Sequence, residues 1–242
     1  MLMLHTLYTV GQQVQNYVVP NYELIESKTK DAKGGNYYPV LLKRYKNNDT
    51  TLDAKQVHLL YYGKFFNDDL LKLPEDFNWA DSIKAVLKNE ALTDNDRRKL
   101  LDYYLHQHDG LPFDLGNLYH IFALCRQLND PREPTYHWLV SRLLRTIAAT
   151  GDGTSLKSGY HIGSVADEYS FLSLAGLDFA GSQSLIDNCD YLTVKENRQG
   201  LDGVYFNIEQ VLHEERKALG MDPEMEEKVL KLLKDSKKSD DK

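Results

Sequence analysis

Apolar residues recur at helical spacing up to residue 150 and lose that spacing after Gly151-Asp152-Gly153. A stripe returning every three or four residues fits one face of a helix. Short apolar runs set between turn residues fit strands. No single regular element satisfies both halves, so the spacing predicts an α+β fold, with helices first and a small antiparallel β-sheet after them.

In the first half, Leu7, Val10, Val14, Tyr17 and Val18 mark a short helix within residues 5–19, broken by Pro20. A second helix runs from Tyr22 to about Ala32, and a third follows Pro39. Thr51 or Asp53 caps the next, which carries Val57, Leu60, Tyr61 and Phe65. Helical patterns follow over Trp79–Asn89, from a Thr93 cap to about Asp109, from Asp114 to Asn129, and over 133–149. In the second half, Tyr160–Val165, Leu177–Ile186, Tyr191–Lys195 and Val204–Ile208 read as strands, with one helix from an Asp167 cap to Leu174. A charged helix is expected from Glu224 to Lys234, ahead of a polar tail. The chain thus divides into a helical region (1–150), a small α/β cap packed on it (151–210) and a C-terminal helix with its tail (211–242).

The helical patterns that begin near Trp79 and Asp114 lie 35 residues apart and are both followed by a partner helix. This anatomy resembles the tetratricopeptide repeat, whose paired helices stack to present a concave binding surface. Phe122 departs from the repeat, standing where a small residue lets paired helices approach. A plain helical bundle fits the same spacing.

Lys and Arg number 29 and Asp and Glu 36, giving a net charge of −7. That balance argues against a general nucleic-acid binder, which needs a clustered cationic face. It suits solubility or a basic protein partner. No apolar run reaches the length of a membrane span. The start, Met1 to Tyr8, lacks the basic and continuously apolar regions of a signal peptide, so a cytoplasmic location is expected, or export if a natural leader precedes this sequence. Cys125 and Cys189 have no metal-ligand spacing; two free thiols or a single disulfide are both open.

Several segments occur in an order that resembles an uncharacterised bacterial family, the domain-of-unknown-function family DUF4919. They are Tyr37-Tyr38-Pro39 with Leu41-Leu42, Arg44-Tyr45 and Leu60-Tyr61-Tyr62-Gly63; Thr150-Gly151-Asp152-Gly153; His161-Ile162 with Ser164-Val165 and Asp167-Glu168-Tyr169; Gln183-Ser184-Leu185; Cys189-Asp190 with Leu192-Thr193-Val194; and Val204 to Ile208. The resemblance spans roughly residues 35–210. It implies a shared fold and supplies no catalytic residue.

One polar cluster stands out: His161, Asp167, Glu168, Tyr169, Gln183 and Asp190 fall within 30 residues. A histidine beside carboxylates is the usual material of acid–base chemistry. The same residues also serve structure, since Asp167 and Glu168 suit the start of a helix. Gly151-Asp152-Gly153 lacks the remainder of a phosphate-binding or calcium loop. His106 and His108, two apart on a helix, point to different sides. No cofactor or metal motif is present. The adjacent aromatics Tyr61-Tyr62 and Tyr103-Tyr104 cannot all face one core, which makes them candidate anchors for a partner. The reading that follows is a non-enzymatic protein–protein interaction module, in a narrower form an immunity- or inhibitor-type protein. The alternative is a hydrolase using His161, Asp167 and Asp190.

Overall fold

Helix starts follow from the side chains that cap them. Asp53 accepts from the Gln56 amide while the Gln56 side chain bonds back, a reciprocal box. Thr93 and Asp96 repeat that arrangement, and Asp114 accepts from the Asn117 amide. The computed structural model describes residues 16–67, 80–88 and 91–220. Its helices are α1 (Tyr22–Lys30), α2 (Tyr38–Lys46), α3 (Ala54–Gly63), α4 (Ala80–Leu87), α5 (Asp94–Gly110), α6 (Leu115–Gln127) and α7 (Glu133–Ala148). Strand β1 (Tyr160–His161), helix α8 (Val165–Ala175), strands β2 (Phe179–Ile186), β3 (Cys189–Val194) and β4 (Gly203–Asn207), and helix α9 (Glu209–Ala218) complete the order.

The four strands lie in the order β1-β4-β3-β2. β2, β3 and β4 are antiparallel neighbours, and a two-residue turn at Asp187-Asn188, where Asp187 has φ 54°, joins β2 to β3. β1 pairs with β4 in parallel, Tyr160 opposite Phe206. The sheet is therefore mixed, where all-antiparallel pairing was expected. The reason is topological: α8, β2 and β3 intervene between β1 and β4, and such a crossover allows the two strands to run the same way. The strand expected over 160–165 shrinks to two residues because the chain turns into α8 at Val165, with Ser164 at the cap position. Asp167 is thus in the first turn of α8 and not its cap.

One continuous core runs from Ile25 on α1 to Val211 on α9 and includes residues of both layers. α3 packs on α7 although the α4–α5 pair lies between them in sequence, and α6 also packs on α8. A row of nearest-neighbour repeats would not make those contacts. The joint at Gly151–Gly153 fastens the layers: the Asp152 and Gly153 amides donate to the Ser158 carbonyl, and the Tyr205 amide on β4 donates to the Gly153 carbonyl. The C-terminal boundary expected near residue 211 falls inside α9, whose Val211 joins the core. The helix expected over 5–19 lies outside the described residues up to residue 15, and 16–20 have no regular structure. The helix expected from Glu224 to Lys234 also lies outside the described residues.

Candidate functional site

Asp167 is buried, and its carboxylate is spent within the fold. Oδ2 accepts from the Tyr61 hydroxyl at 2.7 Å, and Oδ1 accepts from the Leu115 amide at 3.1 Å. Leu115 opens α6, so a side chain on α8 satisfies an otherwise orphaned donor of another helix. Tyr61 in turn accepts from the Gly163 amide at 2.7 Å. A Cβ at Gly163 would lie 2.5 Å from Lys64 Nζ and 3.0 Å from the Tyr61 ring, so a side chain there would displace the lysine end and crowd the tyrosine. Burial raises the Asp167 pKa, against the nearby Lys64 charge and the bonds from Tyr61 and Leu115, which lower it.

Glu168, the next residue, belongs to a different cluster. It is fully buried, and among the described residues no N–H or O–H group donates to either of its oxygens. Its remaining polar contact is Asp190, which a carboxyl group can join by hydrogen bond only when one of the two is protonated. Burial, with the Asp190 charge second, pushes Glu168 up to about 9. Gln183 Nε2 donates to Asp190 Oδ2 at 2.6 Å, and the Tyr169 hydroxyl donates to Gln183 Oε1. This chain of groups pins β2 and β3 to α8.

His161 joins neither cluster. Its amide donates to Thr150 Oγ1 at 2.9 Å and its carbonyl accepts from the Tyr62 hydroxyl at 2.8 Å. The ring Nδ1 is buried without a hydrogen-bond partner among the described residues. Burial, and then the neighbouring His58, lower its pKa to about 4. No described hydrogen bond or ion pair joins the imidazole to a carboxylate. His161, Asp167 and Asp190, grouped by the sequence, therefore have three separate sets of partners. Cys125 and Cys189 are buried free thiols. Among the described residues no group of three or more His, Cys, Asp or Glu side chains is arranged to hold a metal ion.

The paired tyrosines also divide. Tyr61 and Tyr62 are fully buried, with hydroxyls bonded inside, so they are core residues and not surface anchors. Tyr103 and Tyr104 are half-buried on α5, their rings edge to face at 5.2 Å. They begin a continuous line of rings. Tyr104 stacks on His120 of α6 at 4.7 Å and 16°. His120 lies 6.2 Å from Tyr119, which lies 6.3 Å from Phe122. Phe122 stacks on His137 of α7 at 5.4 Å and 26°.

The line crosses three adjacent helices, and Tyr119, His120 and His137 are exposed. Asn117 Nδ2 helps to fix it by donating to the Tyr104 carbonyl at 3.1 Å, which ties α6 to α5. Sequence reasoning reached only its α5 end. Phe122 stands out in the sequence only as a departure from the repeat, and Tyr119, His120 and His137 are not among the anchors expected from it. The available signal was the adjacent Tyr119-His120, the same pairing that flagged Tyr103-Tyr104. Rigid aromatic rings with polar tips combine large contact area with low entropy loss on binding, which suits partner recognition.

No curated protein and no solved structure matches the chain. The family model described as a domain of unknown function, DUF4919, matches residues 23–217, the stretch from α1 into α9. The chain therefore belongs to the domain-of-unknown-function family DUF4919.

Proposed function

We propose that this protein is a non-enzymatic protein-interaction module whose contact surface is the line of rings from Tyr103 to His137. The supporting observation is that six side chains from three helices follow one another in stacked, tilted or edge-to-face ring contacts while three of them stay exposed. Interface energy concentrates in such aromatic anchors, and a preorganised set loses little freedom on docking. The hydrolase alternative draws no support from His161, whose ring has no described hydrogen bond or ion pair with a carboxylate and whose pKa burial and His58 lower. The inhibitor form of the proposal rests on the net charge of −7, which favours a basic partner by long-range attraction.

The test is quantitative affinity capture with three proteins: the intact chain, a Tyr103→Ala/Tyr104→Ala variant, and a Tyr169→Ala control. The expected result is a partner retained by the intact chain and the control and lost from the double variant. Equal recovery by all three rejects the ring surface. Elution of that partner at raised salt is the further expectation of the charge-based inhibitor form.

A further inference from the structure

A groove of about 510 Å³ opens between α1, α3 and α7, away from the line of rings. Its floor includes Ile25 and Leu59, both buried. Val18, Val19 and Leu24 line it while 55%, 53% and 49% exposed, three large aliphatics left beside water. Four cations stand around them: Lys28 on α1, Lys55 on α3, and Arg142 and Arg145 on α7. Arg142 is held over the Trp138 ring at 5.5 Å.

The charges make the groove unusual. The chain is acidic overall, yet none of these four cations forms an ion pair among the described residues. Residues 1–15, which precede the groove-lining Val18 in the chain, contain no Asp or Glu and cannot neutralise the rim. The volume falls within the usual range for small-molecule sites, about 300–1,000 Å³. A concave apolar floor under a cationic rim matches a molecule with an apolar body and an anionic end. A flat anionic membrane surface fits less well, because the recessed floor is out of its reach and a net charge of −7 opposes approach.

We infer that this groove binds a small anionic amphiphile, a single alkyl chain ending in a carboxylate. The chain lies along Leu24, Ile25 and Leu59, and the carboxylate meets the guanidinium groups of Arg142 and Arg145, which suit its planar geometry. This site is independent of the ring surface.

The experiment is isothermal titration of the full chain with dodecanoate below its micelle concentration. Dodecanol, dodecyltrimethylammonium and anionic phosphatidylglycerol vesicles form the comparison arms. Saturable one-to-one binding of dodecanoate is expected, at least tenfold tighter than dodecanol, with none of the ammonium. An Arg142→Glu/Arg145→Glu variant is expected to lose at least tenfold in affinity. Val19→Asp, at an exposed wall position, is a second variant with the same expected direction. Absence of saturable binding, equal affinity for the alcohol and the carboxylate, binding to vesicles only, or unchanged affinity in both variants would each overturn the assignment.

Discussion

Tyr61 and Asp167, 106 positions apart in the chain, share a 2.7 Å hydrogen bond with both side chains sealed from solvent. Through it α3 meets α8, and through the second carboxylate oxygen α8 meets the start of α6. A carboxylate is costly to bury unless its oxygens are bonded, and with both oxygens bonded this pair acts as a clamp between the helices.

Tyr61→Phe removes the donor to Asp167 and the acceptor for the Gly163 amide while leaving the ring in place. It is expected to destabilise the protein by about 2 kcal/mol, the usual cost of stranding buried polar groups. Urea unfolding followed by circular dichroism measures this. A change within about 0.5 kcal/mol, typical of a surface substitution, would mean that the clamp contributes nothing.

Glu168 gives a pH dependence of definite sign. Its pKa is about 9 in the folded chain, against an ordinary value of 4.5. Between those values the folded state keeps a proton that the unfolded state has lost, so stability falls as pH rises through the window. The slope from this one group approaches about 1.4 kcal/mol per pH unit. Glu168→Gln stays neutral and can donate to Asp190. It is expected to flatten the decline between pH 5 and pH 9, approximately the span set by these two values. Unfolding midpoints measured across that range should converge for the two proteins at the acid end and separate toward the alkaline end. Parallel curves would contradict the assignment of a protonated Glu168.

His58 and His161 act in the opposite direction. Burial lowers both to about 4, from an ordinary 6.5. The unfolded chain takes up protons in that interval that the folded chain refuses, so stability present above pH 6.5 is lost as pH falls toward 4. Asp49, Asp130 and Asp152, each held at about 2, act at more acid pH, which separates the two effects. A His58→Gln/His161→Gln variant should lose less stability between pH 6.5 and pH 4 than the natural chain. An equal loss would place the acid sensitivity elsewhere.

The fold was legible where one residue acts on its near neighbours. Thr93 announces its helix, and Thr51 or Asp53 the start of α3, because a cap needs only the next turn of chain. The loss of helical spacing at Gly151 marks the junction of helices and sheet because periodicity is local as well. Pairing between distant segments left no such mark. Nothing near Asp167 says that its partners are Tyr61 and Leu115, and its position near a helix start invited the local reading as a cap. The parallel register of β1 on β4 was hidden for the same reason: β1 is two residues long and its direction is set by the crossover. At the candidate surface, Tyr103-Tyr104 was visible as an adjacent pair. Phe122 packs against the core, and its ring also meets His137 on the next helix, a contact that nothing in its own stretch of chain reveals.

Site-directed photocrosslinking tests the interaction surface most directly. Tyr119 and Tyr169 are matched aromatics, 38% and 39% exposed, but only Tyr119 belongs to the line of rings. Each is replaced in turn by p-benzoylphenylalanine, and the protein is irradiated with its native cell extract. The expected result is a discrete covalent adduct from position 119, absent from position 169 and abolished by the added Tyr103→Ala/Tyr104→Ala change. An adduct from position 169 alone, or none from position 119, would contradict the proposal that the rings between Tyr103 and His137 form the binding surface.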